Sequence, residues 1–215
     1  MTLRCVVAGA LVLLAHPLEL AAQLGALPAD EWSLILESGR RLQSLEIEEV
    51  VERLSLREGD IVTDIGAGTG IFSVPIARKV GPSGRVLAVE VDPGFLPMIE
   101  AKAREAGTTN VETVLGAYGD PLLPRRDIDL AFIHDTLHHI EDRAEYLRAL
   151  AGYMGPGSRI AIVDYDGNHP ANPHRNDPEM LITPDQVDGW LRSLGFERSE
   201  VVDMFDDKFY VIYTK

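Results

Sequence analysis

Apolar residues in this chain fall into short runs separated by glycine, proline and charged turns. The runs at 61–65, 86–91, 111–115, 128–133 and 159–163 are five or six residues long and rich in Val, Ile and Leu. That length and branching predict strands, and the apolar run at 86–91 reads as a buried one. Between them, apolar positions return every three or four residues over 71–80, 93–106 and 142–154, which predicts helices. Gly81-Pro82-Ser83-Gly84 marks a turn, and Gly155-Pro156-Gly157 is expected to close the helix before it. Thr183-Pro184-Asp185 opens a further helix that Gly195 stops. Runs at 199–204 and 208–213 close the chain as two strands on a short 205–207 turn. Strands alternating with helices demand a parallel sheet with right-handed crossovers. Two strands on so short a turn must be antiparallel. The expectation is an α/β fold: a three-layer αβα sandwich around a seven-stranded, mostly parallel sheet, with one antiparallel strand at the C-terminal hairpin.

The N-terminal quarter follows a different rhythm. Arg4 precedes an apolar run from Val6 to Ala15, and Ala21-Ala22 follow before Gln23. A basic start, a short apolar core and small residues make residues 1–23 a signal peptide or N-terminal anchor. The run is short for a membrane span. Any membrane contact would come through this segment if it is retained, and location stays open between export and the cytoplasm. Residues 24–56 read as a helical preface, with Asp30 as N-cap and Gly39 dividing it into two helices, covering the substrate side of the domain at 57–215.

Composition narrows the function. The 215 residues are 46% hydrophobic and 25% charged, ordinary for one globular domain. Lys+Arg 20 against Asp+Glu 34 gives a net charge of −14, poorly suited to phosphate backbones. Nucleic acid is therefore disfavoured as a partner and a small molecule favoured. The single cysteine, Cys5, excludes an internal disulfide and a cysteine-based zinc site. Histidines at 134, 138, 139, 169 and 174 lack the ordered spacing of a metal motif, so no metal site is assigned.

The densest chemical signal is VTDIGAGTG at 62–70. A strand carrying Asp64 ends in Gly66, Gly68 and Gly70, with Ala67 between them, and a helix follows. Glycines there let the backbone take positive φ and let a ligand lie against the main chain. The dinucleotide fingerprint would be G-x-G-x-x-G; here it is G-x-G-x-G, with an acid two residues before the first glycine. In this respect the chain resembles the first motif of class I S-adenosylmethionine-dependent methyltransferases, whose Rossmann-like sheet also ends in an antiparallel hairpin. The resemblance runs from about Leu56 onward and is most specific in this motif. It implies S-adenosylmethionine as cofactor, its methionine part carried by Gly66, Ala67, Gly68 and Gly70, and Asp64 oriented toward the cofactor's amino group.

Glu90 ends the second strand, 20 residues after Gly70, where a carboxylate can accept from both ribose hydroxyls. The resemblance also implies an acid after the third strand to contact adenine. Its usual place beside Gly116 holds Ala117, so Asp120 is the candidate. After the fourth strand, HDTLHH at 134–139 is similar to the L-H-H loop of many small-molecule methyltransferases. His138 could remove a proton from a nucleophile, and Asp135 could face substrate or cofactor. The polar loop at 166–178 could contact substrate through His169, His174 and Arg175. The predicted activity is direct in-line methyl transfer to a small molecule. A non-catalytic binding module on the same fold and an NAD-dependent oxidoreductase are the alternatives.

Overall fold

A computed structural model describes residues 27–215. The segment read as a signal peptide or anchor lies outside them. No helix among the described residues is long and apolar enough to cross a membrane.

Seven strands form one sheet: β1 (Ile61–Ile65), β2 (Arg85–Glu90), β3 (Val111–Leu115), β4 (Ile128–His134), β5 (Met154–Tyr165), β6 (Glu197–Val201) and β7 (Lys208–Thr214). Their spatial order is β3-β2-β1-β4-β5-β7-β6. β7 runs antiparallel to both neighbours, and the other pairings are parallel. This is the expected sheet. The chain reverses its direction of travel across the sheet between β1 and β4, and ligands of open α/β sheets bind outside the strand ends at such a point.

Alternation along β4 shows why the sheet is covered twice. Leu130 and Phe132 face one layer with Val50, Phe72 and Ile76, whereas Ala131 and Ile133 face the other with Leu147, Leu150 and Leu191. The first layer holds α3 (Ile47–Arg53), α4 (Ser73–Val80) and α5 (Leu96–Glu105); the second holds α6 (Arg143–Ala151) and α7 (Pro184–Ser193). Thr183 and Gln186 form a reciprocal capping box at the start of α7. At the far edge, all five residues of β6 are exposed.

Three local expectations are corrected. The preface is three helices, α1 (Ala29–Leu36), α2 (Gly39–Ser44) and α3, because Glu46 at φ 46° breaks the chain a second time. Asp30 lies inside the first turn of α1, and the cap is Pro28, whose fixed φ and ψ of 156° end the extended entry two residues earlier. Gly155-Pro156-Gly157 does not close a helix, which ends at Ala151, but lies within β5. Ile128 pairs with Met154 and Leu130 with Arg159, so the extra residues bulge out, with Gly157 at φ 83°.

Candidate functional site

A pocket of about 180 Å³ opens at the carboxyl ends of β1, β2 and β4. The glycine loop is one wall. Gly66, Gly68 and Gly70 have φ of 70°, 54° and 80°, a conformation that favours glycine. The Gly66 and Ala67 N–H groups donate to the Val89 carbonyl at 2.9 and 3.0 Å, which anchors the loop to β2. A Cβ on Gly66 would fall 2.4 Å from the Thr136 side chain. Gly66 therefore serves close approach to the 134–139 loop, while Gly68 borders the pocket.

Asp64 is 3% exposed, and its Oδ2 accepts from Ser73 Oγ at 2.5 Å. Burial drives its pKa from the ordinary 3.8 up to about 7, the Ser73 hydrogen bond opposes the shift and the Glu90 charge adds to it. The folded state thus holds a proton that the unfolded chain releases near its ordinary pKa. Stability is full below about pH 4 and falls as pH rises toward 7. Asp64→Asn should flatten that slope in urea melts taken from pH 4.5 to 7.5; identical slopes for the two proteins would refute the assignment.

Glu90 is buried at the pocket edge. Its Oε2 accepts from Gly68 N at 2.9 Å, and its Oε1 from Val91 N at 2.8 Å and Asp92 N at 3.3 Å. Burial raises its pKa, while these backbone donors pull it down and Asp92 pushes it up. The carboxylate fixes the glycine loop and keeps lone pairs for a ligand hydroxyl. Glu90→Ala should weaken S-adenosylmethionine about tenfold or more in calorimetry, because hydrogen bonds to a charged acceptor are worth roughly 1.5–3 kcal/mol. An unchanged Kd would remove Glu90 from the site.

Asp120 is turned elsewhere. Its Oδ1 accepts from Tyr153 Oη and from Leu122 N, each at 2.8 Å, and it is not on the pocket wall. The structure brings Ala117 and Tyr118 to the pocket instead. The physical reason is the tight Ala117–Asp120 bridge, which reverses the chain between them.

The 134–139 loop inverts the expected order of its histidines. Leu137–His139 is a single 3-10 turn, so consecutive side chains diverge. His138 is 3% exposed and points beneath the loop, with Nδ1 2.6 Å from Oδ1 of the fully buried Asp164. His139 lies on the pocket wall, and its pKa falls to about 4 through burial and then the neighbouring His138. The His174 ring stacks on His138, with centroids 4.6 Å apart, so the 166–178 loop packs against the turn. His169 and Arg175 bond within their own loop.

Asp135 does reach the pocket, at φ 48°. Lys208 Nζ lies 2.8 and 2.9 Å from its two oxygens, and Arg41 Nη2 lies 3.4 Å away. Burial would raise the Asp135 pKa, but the charges of His134, Lys208 and Arg41 outweigh it and hold the carboxyl below its ordinary range.

The sequence reading does not single out Arg41, Lys208 or Asp164 as site residues. Arg41 and Lys208 stand 94 and 73 positions from Asp135. Asp164 did carry a signal, an acid inside the apolar run RIAIVDY, the same pattern that marks Asp64 and Glu90.

These residues fit the cofactor that the sequence implies. Left-handed glycines border the pocket, a buried carboxylate sits at its edge, and His134 Nε2 is buried there without a hydrogen-bond partner. Comparison with known proteins agrees. Residues 62–157 match the family described as "Methyltransferase domain". The chain is 28% identical over 111 residues to the "Ubiquinone/menaquinone biosynthesis C-methyltransferase UbiE" of Pasteurella multocida, covering 51% of this chain and 41% of that protein. It is 27% identical over 116 residues to the "Demethylmenaquinone methyltransferase" of Listeria welshimeri, covering 54% and 49%. The aligned segment thus spans about half the length, or less, of these curated relatives. Among solved structures, a SAM-dependent methyltransferase from Aquifex aeolicus superposes with a TM-score of 0.75 at 24% identity, over 87% of this chain and 98% of that one, which establishes a shared fold. Residues 62–157 thus match a methyltransferase domain, and the sheet order and pocket agree with the fold and site of the class I S-adenosylmethionine-dependent methyltransferases that the glycine motif resembles.

Proposed function

We propose that this chain moves a methyl group from S-adenosylmethionine to a small organic acceptor held between the preface helices and the 134–139 loop. The observation that carries the reading is the continuity of one pocket. It joins Gly66, Gly68 and Glu90 to Arg41, Asp135 and His139. When bound, the cofactor supplies a methyl group already activated by its sulfonium. The chain's own work is then to hold two reactants in line, and orientation alone can lower a barrier by roughly 7–11 kcal/mol. Trp32, Leu36, Phe95 and Ile140 supply apolar walls that exclude water.

His138 and Asp135 take modified roles in this reading. His138 positions the turn that presents His139. With a pKa near 4, His139 is neutral at pH 7 and can accept a hydrogen bond from an acceptor hydroxyl, but it is a weak base. Asp135, ionised and held by two cations, orders the site and does not remove protons. The quinone-pathway names of the curated relatives and the apolar walls make a demethylated quinol the first acceptor to try.

Calorimetry with S-adenosylmethionine and, separately, NAD tests the cofactor, and release of S-adenosylhomocysteine over an acceptor panel headed by that quinol tests turnover. Saturable binding of the first ligand with turnover on one acceptor supports the reading. Binding without turnover on any acceptor would favour a non-catalytic module, and NAD binding alone an oxidoreductase. Mass measurement of the protein's N-terminus tests cleavage near Ala22.

A further inference from the structure

Beside the main pocket, beyond the glycine loop, lies a smaller one of about 40 Å³. Leu36, Arg41, Gly66, Gly68 and His134 border both cavities, so Arg41 and His134 stand at their junction. Two observations mark these side chains as unfinished. The Arg41 guanidinium makes two contacts, to Asp135 Oδ2 at 3.4 Å and to the Leu36 carbonyl at 3.3 Å. Both are longer than the ordinary 2.7–3.2 Å of an N–H···O bond. Asp135 does not depend on Arg41, because Lys208 already faces both of its oxygens. A fork of five donors is therefore under-used on a pocket wall.

The second observation is His134. Its side chain is 4% exposed, its Nδ1 faces Asp135 Oδ2 at 3.6 Å, and its Nε2 is buried without a partner. Burial drags its pKa down to about 4, so the ring is neutral at pH 7. With the proton on Nδ1, toward the carboxylate, Nε2 presents a bare lone pair. A buried polar atom left unmatched is uncommon and asks for a ligand.

An under-used donor fork beside an unmatched acceptor is complementary to an α-amino acid, which carries a carboxylate and an ammonium on one carbon. We propose that Arg41 and His134 hold the amino-acid end of S-adenosylmethionine: the Arg41 guanidinium grips its carboxylate, and His134 Nε2 accepts from its ammonium. The inference rests on the cofactor reading above. It takes the ammonium away from Asp64, whose Oδ2 accepts from Ser73 and which lines the smaller cavity but not the main pocket. It also gives α2, which lies outside the matched residues 62–157, a direct part in cofactor binding.

Two ligands separate this inference from the reading beneath it. S-adenosylhomocysteine carries the amino-acid end, and 5′-methylthioadenosine keeps the adenosine and thioether without it. Titrated against the full chain by calorimetry, the first should bind the tighter. Arg41→Met should weaken S-adenosylhomocysteine about tenfold or more, since charge-assisted bidentate contacts are the strong ones. The same variant should leave 5′-methylthioadenosine unchanged, which also shows that the adenosine site is folded. Arg41→Lys should recover part of the loss. His134→Phe, which keeps a ring against Phe72, should also weaken S-adenosylhomocysteine selectively. Equal affinity of wild type for the two ligands, no effect of Arg41→Met, or equal weakening of both ligands would each overturn the proposal. Binding of neither ligand to wild type would remove the cofactor reading, and this inference with it.

Discussion

A Gly68→Val protein is expected to fold and to lose S-adenosylmethionine binding by more than about a hundredfold. Two effects combine. Gly68 has φ 54°, where a β-branched residue is a genuine outlier and the left-handed conformation costs about 1–3 kcal/mol. The side chain also fills space. A Cβ at this position meets Leu36 Cδ1 at 3.4 Å, an ordinary contact, so the empty protein tolerates it. The further methyl groups of valine would crowd the rim where the cofactor must lie against the main chain. The Gly68 N–H still donates to Glu90, so the loop stays tethered. The melting temperature should fall by several degrees, while calorimetry shows little or no heat of binding. A valine variant that binds within threefold of wild type would mean that the cofactor does not run along this loop.

The second large effect concerns stability. Asp164→Ala should cost about 3–5 kcal/mol, the usual penalty for removing one member of a buried pair. Asp164 is fully buried at the end of β5 and accepts from His138 Nδ1 at 2.6 Å, His138 N at 3.2 Å and Tyr165 N at 2.8 Å. Without the carboxylate, those donors are left in a dry interior. At roughly 2–4 °C per kcal/mol for a chain of this size, the melting temperature drops by about 10 °C. Asp164→Asn keeps one acceptor oxygen and should lose less. The measurement is urea unfolding of the three proteins at equal m-value. A cost under about 1 kcal/mol for the alanine variant would show that His138 is held by its packing against His139 and His174 and not by this acid.

How the sequence announced the fold depends on the range of the forces involved. β3 is legible to the residue because Val111–Leu115, with Val and Leu at both ends and a β-branched Thr113 within, lies between a polar turn and Gly116. The glycine loop is legible because positive φ is a local demand written in local residues. Gly155-Pro156-Gly157 reads as punctuation for the same local reason, yet β4 draws it into a bulged strand that no local signal reveals. The site divides in the same way. Glu90, Gly66 and Gly68 sit on strands and turns whose direction follows from the alternation of residues. The swap of His138 for His139 does not follow, because a single 3-10 turn decides it, and that turn is held from outside. The Arg143 guanidinium bonds the Leu137 and His138 carbonyls and ties the turn to Glu179 O. Asp120 shows the limit most simply: its tyrosine partner lies 33 residues away on the far side of α6.

The exposed edge of the sheet has a consequence for the protein in crowded solution. β6 offers an open row of backbone donors and acceptors along Glu197–Val201. Such a row is a template on which another strand can grow. Here Glu197, Arg198 and Glu200 would each have to lose water before a neighbour could add to it, and the register shift between Arg198 and Glu200 interrupts the ladder. Charge and irregularity at this edge oppose aggregation by strand addition, so the sheet can end at its seventh strand.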